Sequence, residues 1–320
     1  MKSVLAAITT CKRKPEMLER AIKSVAAQTY TDWDLVVVDD SPADYEFRDD
    51  VRKMVEEWSR RDSRIRYVAH DKNYGAPRAR NTALKIASDG RYKFIAYLDD
   101  DDEWLPEKLE KQIAKFSECD ENTALVYCRG FRADRSGDYI DFRKFREGYV
   151  YPELFETDFI GTFTAPLIRT ECINVIGGFD EEMIAHQDYD TWIRLAERYN
   201  IMFTDEKLFC KHNEHKEEQI SKDLYKYVLM FERILKKHER YLSGHKNVYR
   251  LALYNLSYRC TRAGDWQKCF DSLKKALVLQ PLKCTATIKK YLIYAMMKNT
   301  PDLLNSLVRI KQKLKGEKIN

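Results

Sequence analysis

Four consecutive aspartates, Asp99 to Asp102, stand directly after the apolar run Phe94-Ile95-Ala96-Tyr97-Leu98 and before Glu103-Trp104-Leu105-Pro106. Adjacent carboxylates repel one another unless water or a cation neutralises them, and Mg²⁺ or Mn²⁺ prefers such all-oxygen sets. The apolar run reads as a buried strand, and Leu109, Ile113 and Phe116 beyond Pro106 follow helical spacing. In an open α/β sheet ligands bind outside the carboxyl ends of the strands, which is where this strand delivers its carboxylates. The competing reading is a solvated acidic loop.

The elements that must position this cluster follow a regular alternation. Ser3 to Ile8 is a first strand, and Met17, Leu18, Ala21, Ile22, Val25 and Ala26 after Pro15 have a helical period. Asp34 to Asp40 is a second strand ending in paired carboxylates. A helix from about Tyr45 to Trp58, a strand at Ile65 to Val68, a turn at Asn73 to Pro77 and a helix from Arg78 to Ile86 lead to the aspartate strand. The β-α-β-α-β-α-β order with short continuous apolar strands predicts a mostly parallel sheet with helices on both faces. Further along come a strand at Ala124 to Tyr127, a polar stretch over residues 134–150, a turn at Gly177-Gly178-Phe179-Asp180 and a helix after His186. No glycine-rich dinucleotide fingerprint or P-loop is present, so phosphates would need a metal and basic side chains. From near residue 220 the chain reads as all helix, which sets expected domains of 1–220 and 221–320. Within the second, Tyr254 to Pro281 resembles a single tetratricopeptide-type hairpin, or else an ordinary αα-hairpin.

The composition bounds the rest. The chain has 320 residues, 44% hydrophobic and 33% charged, with a net charge of +5. That describes a globular protein without the basic stripe of a nucleic-acid binder. Eight cysteines are scattered without metal-ligand spacing, as expected of core residues in a reducing compartment. The N-terminal apolar run is too short for a signal peptide, and no stretch suits a membrane span, so the expected location is cytoplasmic. The tail combines Leu303, Leu304, Leu307, Val308 and Ile310 with Arg309, Lys311, Lys313, Lys315 and Lys318. It is either a packed helix with a solvated end or a basic amphipathic helix for the inner face of a membrane.

Four stretches occur in a telling order: Asp39-Asp40-Ser41; Asn73-x-Gly75-x-x-x-Ala79-Arg80-Asn81; Leu98-Asp99-Asp100-Asp101-Asp102-x-Trp104-Leu105-Pro106-x-x-Leu109; and Gly177-Gly178-Phe179-Asp180 with Gln187-Asp188-Tyr189-Asp190-x-Trp192. Together they resemble the family 2 glycosyltransferases, which have the GT-A (Rossmann-like) fold, over roughly the first 220 residues. The resemblance implies metal-dependent transfer of a sugar from a nucleotide diphosphate donor, with inversion, to a saccharide or lipid-linked saccharide in polysaccharide biosynthesis. It implies Asp101 and Asp99 as ligands of Mn²⁺ or Mg²⁺, and Asp100 facing the ribose. Asp102 either supports the ligands or caps the helix. Thr9 and Asp40 match positions that contact the nucleotide base, with Asp39 as a less certain neighbour, and a carboxylate there suits uracil, so UDP is favoured over GDP and dTDP. Arg80 would neutralise diphosphate charge or hold the Asp40 loop. Asp188 would be the base, with Asp190 as alternative. The family's Glu-Asp pair is Gln187-Asp188 here, and removing a like charge is expected to lower the Asp188 pKa. Of His212 and His215, the pattern before Gln219-Ile220-Ser221 favours His215 as a further metal ligand. The family's aromatic and Asn are replaced by Cys11 and Lys12. Two other readings compete: a binding or scaffold protein acting through its helical module, and a nucleotidyltransferase, which would carry glycines in the loop after the first strand.

Overall fold

The computed structural model describes residues 3–134, 137–140, 145–212 and 223–279. The chain separates into two compact units, Met1–Ile220 and Ser221–Asn320.

In the first unit, β1 (Val4–Thr10), α1 (Pro15–Ala26), β2 (Trp33–Asp39), α2 (Arg48–Arg61), β3 (Ile65–Ala69), α3 (Ala76–Asp89) and β4 (Phe94–Asp99) alternate. The four strands pair in parallel in the order β3-β2-β1-β4. Residues 4–8 of β1 and all of β2 are buried, as a sheet covered on both faces by helices requires. The helices fit this role: α1 buries Met17, Leu18, Ala21, Ile22 and Val25 at helical spacing, and its Pro15 sits in the first turn, where the missing N–H costs nothing. The register sets Thr9 between Val38 and Asp99 and Thr10 opposite Asp39. The polar ends of three strands are thereby aligned at one edge of the sheet.

Past β4 the sheet becomes mixed. Here follow β5 (Asp102–Trp104), α4 (Lys108–Ser117), β6 (Thr123–Asp134), β7 (Gly137–Ile140), α5 (Tyr151–Leu154), β8 (Leu167–Arg169), α6 (Thr170–Val175), α7 (Gln187–Ala196) and β9 (Asn200–His212). β8 runs antiparallel between β4 and β6, β6 runs parallel to β9, and β5 closes the edge antiparallel to β9. β4 and β5 lie four places apart in strand order yet only Asp100 and Asp101 separate them in sequence. The sheet must curl to allow this. The β6–β9 ladder carries register shifts near Thr123 and around Cys128 to Gly130, and such bulges bend a strand and increase its twist. Gly130 is required there, since a Cβ would stand 2.3 Å from the Phe209 ring. β9 and the length of β6 have no clear sequence signal, because their exposed faces are mixed in polarity. Asp102 lies in β5 and does not cap the helix, which starts at Lys108, beyond Pro106.

The glycine turn between α6 and α7 is pinned from two sides. Asn81 Nδ2 donates to Phe179 O (3.0 Å) and Asn81 Oδ1 accepts from Phe179 N (2.9 Å). Arg194 donates to Ile176 O and Gly178 O and pairs with Asp190 at 2.8 Å. Asp190 is thus a structural partner of Arg194.

In the second unit α8 (Leu224–Lys237), α9 (Glu239–Gly244), α10 (Lys246–Ala263) and α11 (Trp266–Leu279) follow one another. Asp223 caps α8 by accepting from Tyr225 N (3.1 Å), and Gly264, at φ +79°, ends α10. α10 and α11 pack as a helical pair. Pro281 of the tetratricopeptide-like segment and the basic tail lie outside the described residues. Among the described residues, no helix is long and apolar enough to cross a membrane, and no disulfide is formed.

The glycine turn makes a quantitative comparison available. Both Gly177 (φ +81°) and Gly178 (φ +72°) occupy the left-handed region, but only Gly178 is crowded, with Asn81 Oδ1 2.7 Å from a Cβ position. Gly177→Ala should cost about 1–2 kcal/mol from backbone strain alone. Gly178→Ala should cost about 2–4 kcal/mol, because overpacking adds to the strain. Urea midpoints of the two variants check the difference.

Candidate active site

The four aspartates occupy four different environments. Asp99 ends β4; its Oδ2 accepts from Thr162 Oγ1 (2.5 Å) and its Oδ1 faces Arg80 at 3.6 Å. Asp100 turns inward, accepting from Thr10 Oγ1 (2.7 Å) and Arg13 Nε (3.0 Å). It is 6% exposed, and burial pushes its pKa up to about 6 despite Arg13. Two of its acceptor positions thus tie β4 to the end of β1 and the loop after it. Asp101 lies 3.6 Å from the other side of Arg13, and burial and the Asp99 charge raise its pKa. Asp102 is buried, accepts from Thr164 Oγ1 (2.6 Å) and has Lys211 Nζ 3.9 Å away. Burial raises its pKa more strongly still, and its Oδ1 is enclosed without a hydrogen-bond partner.

Three cations, Arg13, Arg80 and Lys211, pair with these four carboxylates. The cluster remains short of positive charge, its free donors are all oxygen, and one buried oxygen has no partner. That set fits a hard divalent cation.

At the β2 end, Asp39 is fully enclosed, accepting from Ser41 N (2.8 Å) and Tyr67 Oη (2.7 Å). It holds β2 to β3 and is out of a ligand's reach, which corrects its assignment to the nucleotide. Asp40 accepts from His70 Nδ1 (2.7 Å), Tyr74 N (2.9 Å) and Gly75 N (2.7 Å). A carboxylate has about four acceptor positions, so one remains for a base. The motif Asn73-x-Gly75 is thus explained by the turn it lends to Asp40. Thr9 is half-buried at the same edge. Lys12 donates its backbone N–H to Ser41 Oγ (2.9 Å) from a left-handed conformation, φ 54°, which Asn tolerates better than Lys.

On the opposite wall, His186 is also left-handed (φ 55°) and starts α7. Strained residues of this kind cluster at functional sites. Asp188 follows, half-buried, accepting from Tyr189 N at 2.8 Å. Its pKa is pushed up to about 7, chiefly by burial and then by the Asp158 charge, against Arg80. Gln187 withdraws one like charge, but burial and Asp158 still leave Asp188 well above the ordinary carboxylate value. Gln187 Oε1 accepts from Arg80 (2.6 Å), so the amide keeps the acceptor that a Glu would offer. Arg80 is buried, stacks on Phe163 at 4.0 Å, and joins Gln187 to Asp99. It does not hold the Asp40 loop, which His70 and the Tyr74–Gly75 backbone hold instead.

His212 hydrogen-bonds Glu103 (2.7 Å) on the face of the β5–β9 pair away from Asp102 and Lys211. His215 lies outside the described residues. The sequence reading passed over Arg13, Lys211, Asp158, Thr162 and Thr164. Arg13 carried a signal as part of a basic cluster after the first strand. Lys211 and Asp158 carried none, since only the curl of the sheet brings them to the aspartates.

The sequence profile of Glycosyl transferase family 2 matches residues 6–177. Among similar proteins, a UDP-Glc:α-D-GlcNAc-diphosphoundecaprenol β-1,3-glucosyltransferase of Escherichia coli is 32% identical over 65% of this chain and 76% of its own length. Staphylococcus aureus TarS (residues 1–349) in complex with UDP-GlcNAc superposes with a TM-score of 0.55 at 16% identity, over 92% of this chain and 80% of that one. A mannosyltransferase from Pyrobaculum calidifontis in complex with GDP-Man and Mn²⁺ gives 0.54 at 15% identity, over 92% and 86%. These two likenesses concern the fold. The match over more than half the chain and the E. coli relative establish the family, and this chain is a glycosyltransferase of family 2.

Proposed function

We propose that the protein transfers a sugar with inversion from a nucleotide diphosphate donor, UDP-linked by preference, to a hydroxyl of a saccharide or lipid-linked saccharide during surface polysaccharide synthesis. The observation that carries this reading is the line Asp99–Arg80–Gln187, which sets the aspartate cluster beside Asp188. Further support comes from the relative that acts on a diphosphoundecaprenol-linked sugar and from neighbours that bind UDP-GlcNAc or GDP-Man with Mn²⁺.

Asp101 and Asp99 would hold Mn²⁺ or Mg²⁺, which when bound supplies Lewis-acid stabilisation of the departing diphosphate. Thr9 and the remaining lone pair of Asp40 receive the base. Arg80 and Lys211 bring fixed positive charge to the side where the leaving group gains negative charge, inside a partly dry site that strengthens it. Asp188 removes the proton from the acceptor hydroxyl as that oxygen bonds the anomeric carbon and the bond to the diphosphate breaks. A base pKa near the working pH is the optimum for such a transfer, and burial plus Asp158 provide it.

Calorimetric titration of UDP, GDP and dTDP, each with Mn²⁺, Mg²⁺ or EDTA, tests the donor site. One nucleotide should bind with metal, and at least tenfold more weakly with EDTA or in Asp101→Ala. Equal binding under all three conditions would remove the metal-bridged reading. Asp188→Asn should lower kcat by about 10²–10⁴-fold with donor affinity kept.

The pH profile is a separate check. Asp188 is active when deprotonated, so kcat/KM should rise with pH through an apparent pKa no higher than about 7. Asp158→Asn keeps the acceptor for Ile160 N and Gly161 N but removes the like charge. The rise should move to lower pH in that variant, and an unmoved profile would exclude Asp188 as the titrating base.

A further inference from the structure

β5 and β9 pair with Asp102 opposite Lys211, Glu103 opposite Cys210 and Trp104 opposite Phe209. Side chains alternate between the faces of a strand. Asp102 and Lys211 therefore face the donor cluster, whereas Glu103, Cys210 and His212 share the other face. There the Glu103 carboxylate, Cys210 Sγ and a His212 ring nitrogen all lie within 4.8 Å of one another.

We propose that Glu103, Cys210 and His212 form a second cation site, for Zn²⁺ or a similar borderline-soft ion, which staples the edge strand β5 to β9.

The donor set separates this site from the aspartates. Thiolate, imidazole and carboxylate together suit zinc, while the all-oxygen cluster behind them suits Mg²⁺ or Mn²⁺. The three ligands come from two strands held together by backbone hydrogen bonds, so the framework exists before the ion arrives. Zinc bonds of about 2.0–2.3 Å put tetrahedral ligand atoms about 3–4 Å apart, so the three atoms, all within 4.8 Å, need only small shifts, with the His212–Glu103 pair moving apart. His212 Nε2 lies 2.7 Å from a Glu103 oxygen, so two of the three ligand atoms already face each other. The His212 and Glu103 side chains are 13% and 33% exposed, which leaves a route for the ion and a fourth position for water. Cys210 is buried, and burial together with the Glu103 and Asp102 charges raises its thiol pKa against the Ala133 backbone hydrogen bond and Arg20. Binding therefore converts the thiol to thiolate and releases its proton to solvent.

The consequence is mechanical. β5 has three residues and lies at the sheet edge, directly after the Asp100–Asp101 turn. A metal bond across Glu103–Cys210 would fix the far end of that turn without touching the donor.

Co²⁺ added to full-length wild type and to Asp101→Ala is the test, followed by Zn²⁺ competition. Both proteins should bind about one Co²⁺ with a thiolate-to-cobalt charge-transfer absorption, displaced by Zn²⁺. Cys210→Ser should abolish the absorption, and Cys210→Ser and His212→Ala should each weaken Zn²⁺ at least tenfold. Circular dichroism reports folding; if Cys210→Ser does not fold, His212→Ala and Glu103→Gln, at less buried positions, carry the test. No absorption in folded wild type, or Zn²⁺ affinity unchanged in the folded variants, would overturn the proposal. Nucleotide-dependent Mn²⁺ binding, lost in Asp101→Ala and kept in Cys210→Ser, reports the donor reading independently.

Discussion

A single buried guanidinium connects the two halves of the candidate site. Arg80 comes from α3, on the parallel half of the sheet, and reaches both Asp99 at the end of β4 and Gln187 at the start of α7. Its backbone carbonyl accepts from Tyr97 Oη at 3.0 Å, and Phe163 covers its flat face. Burial lowers its pKa, while the charges of Asp99 and Asp188 act the other way. Removing the guanidinium would take the shared cation from Asp99 and the donor from Gln187, at less than the cost of breaking a fully buried pair because the Asp99 side chain is 28% exposed. The distance between the aspartate cluster and Asp188 therefore rests on a group the fold cannot leave unneutralised. Lys in this place would keep the charge and lose the fork that spans two acceptors.

The charge arrangement follows from the same economy of space. The aspartates are not interchangeable: Asp100 and Asp102 face inward to Thr10, Arg13 and Thr164, while Asp99 and Asp101 keep more exposure. The inward pair is tied to protein donors, and the outward pair lies more open to solvent. What reads in sequence as one acidic run is in space two inward-facing and two more exposed carboxylates.

The parallel half of the fold was legible because its strands are continuous apolar runs and its helices are amphipathic; β1 to β4 and α1 to α3 fall within a few residues of their expected bounds. The mixed half was not. β9 is one-sided, and its neighbours are distant in sequence, so neither its existence nor its partners follow from local pattern. The same division holds for the site. Motif residues at strand ends were found, but Asp39 was given to a ligand when it is fully enclosed and hydrogen-bonded to Ser41 and Tyr67. Residue type predicts that a carboxylate needs partners; it does not say whether the partners are protein or substrate. The Asp188 environment was legible only in part, for a related reason. Gln187 is next to it in sequence, whereas Asp158, thirty residues earlier, is next to it in charge.

The curled sheet places a limit on length as well as on composition. Asp100 and Asp101 form a chord between β4 and β5, two strands whose positions are fixed by separate partners, β1 and β9. One added residue in that chord would shift β5 against β9 and exchange its faces. Asp102 would then stand where Glu103 meets Cys210, and the carboxylate that supports the cluster would point to the other side of the sheet. Substitution within the chord is a local matter, but insertion or deletion is not. The number of residues in this chord is therefore held as tightly by the sheet as their chemistry is by the cluster they form.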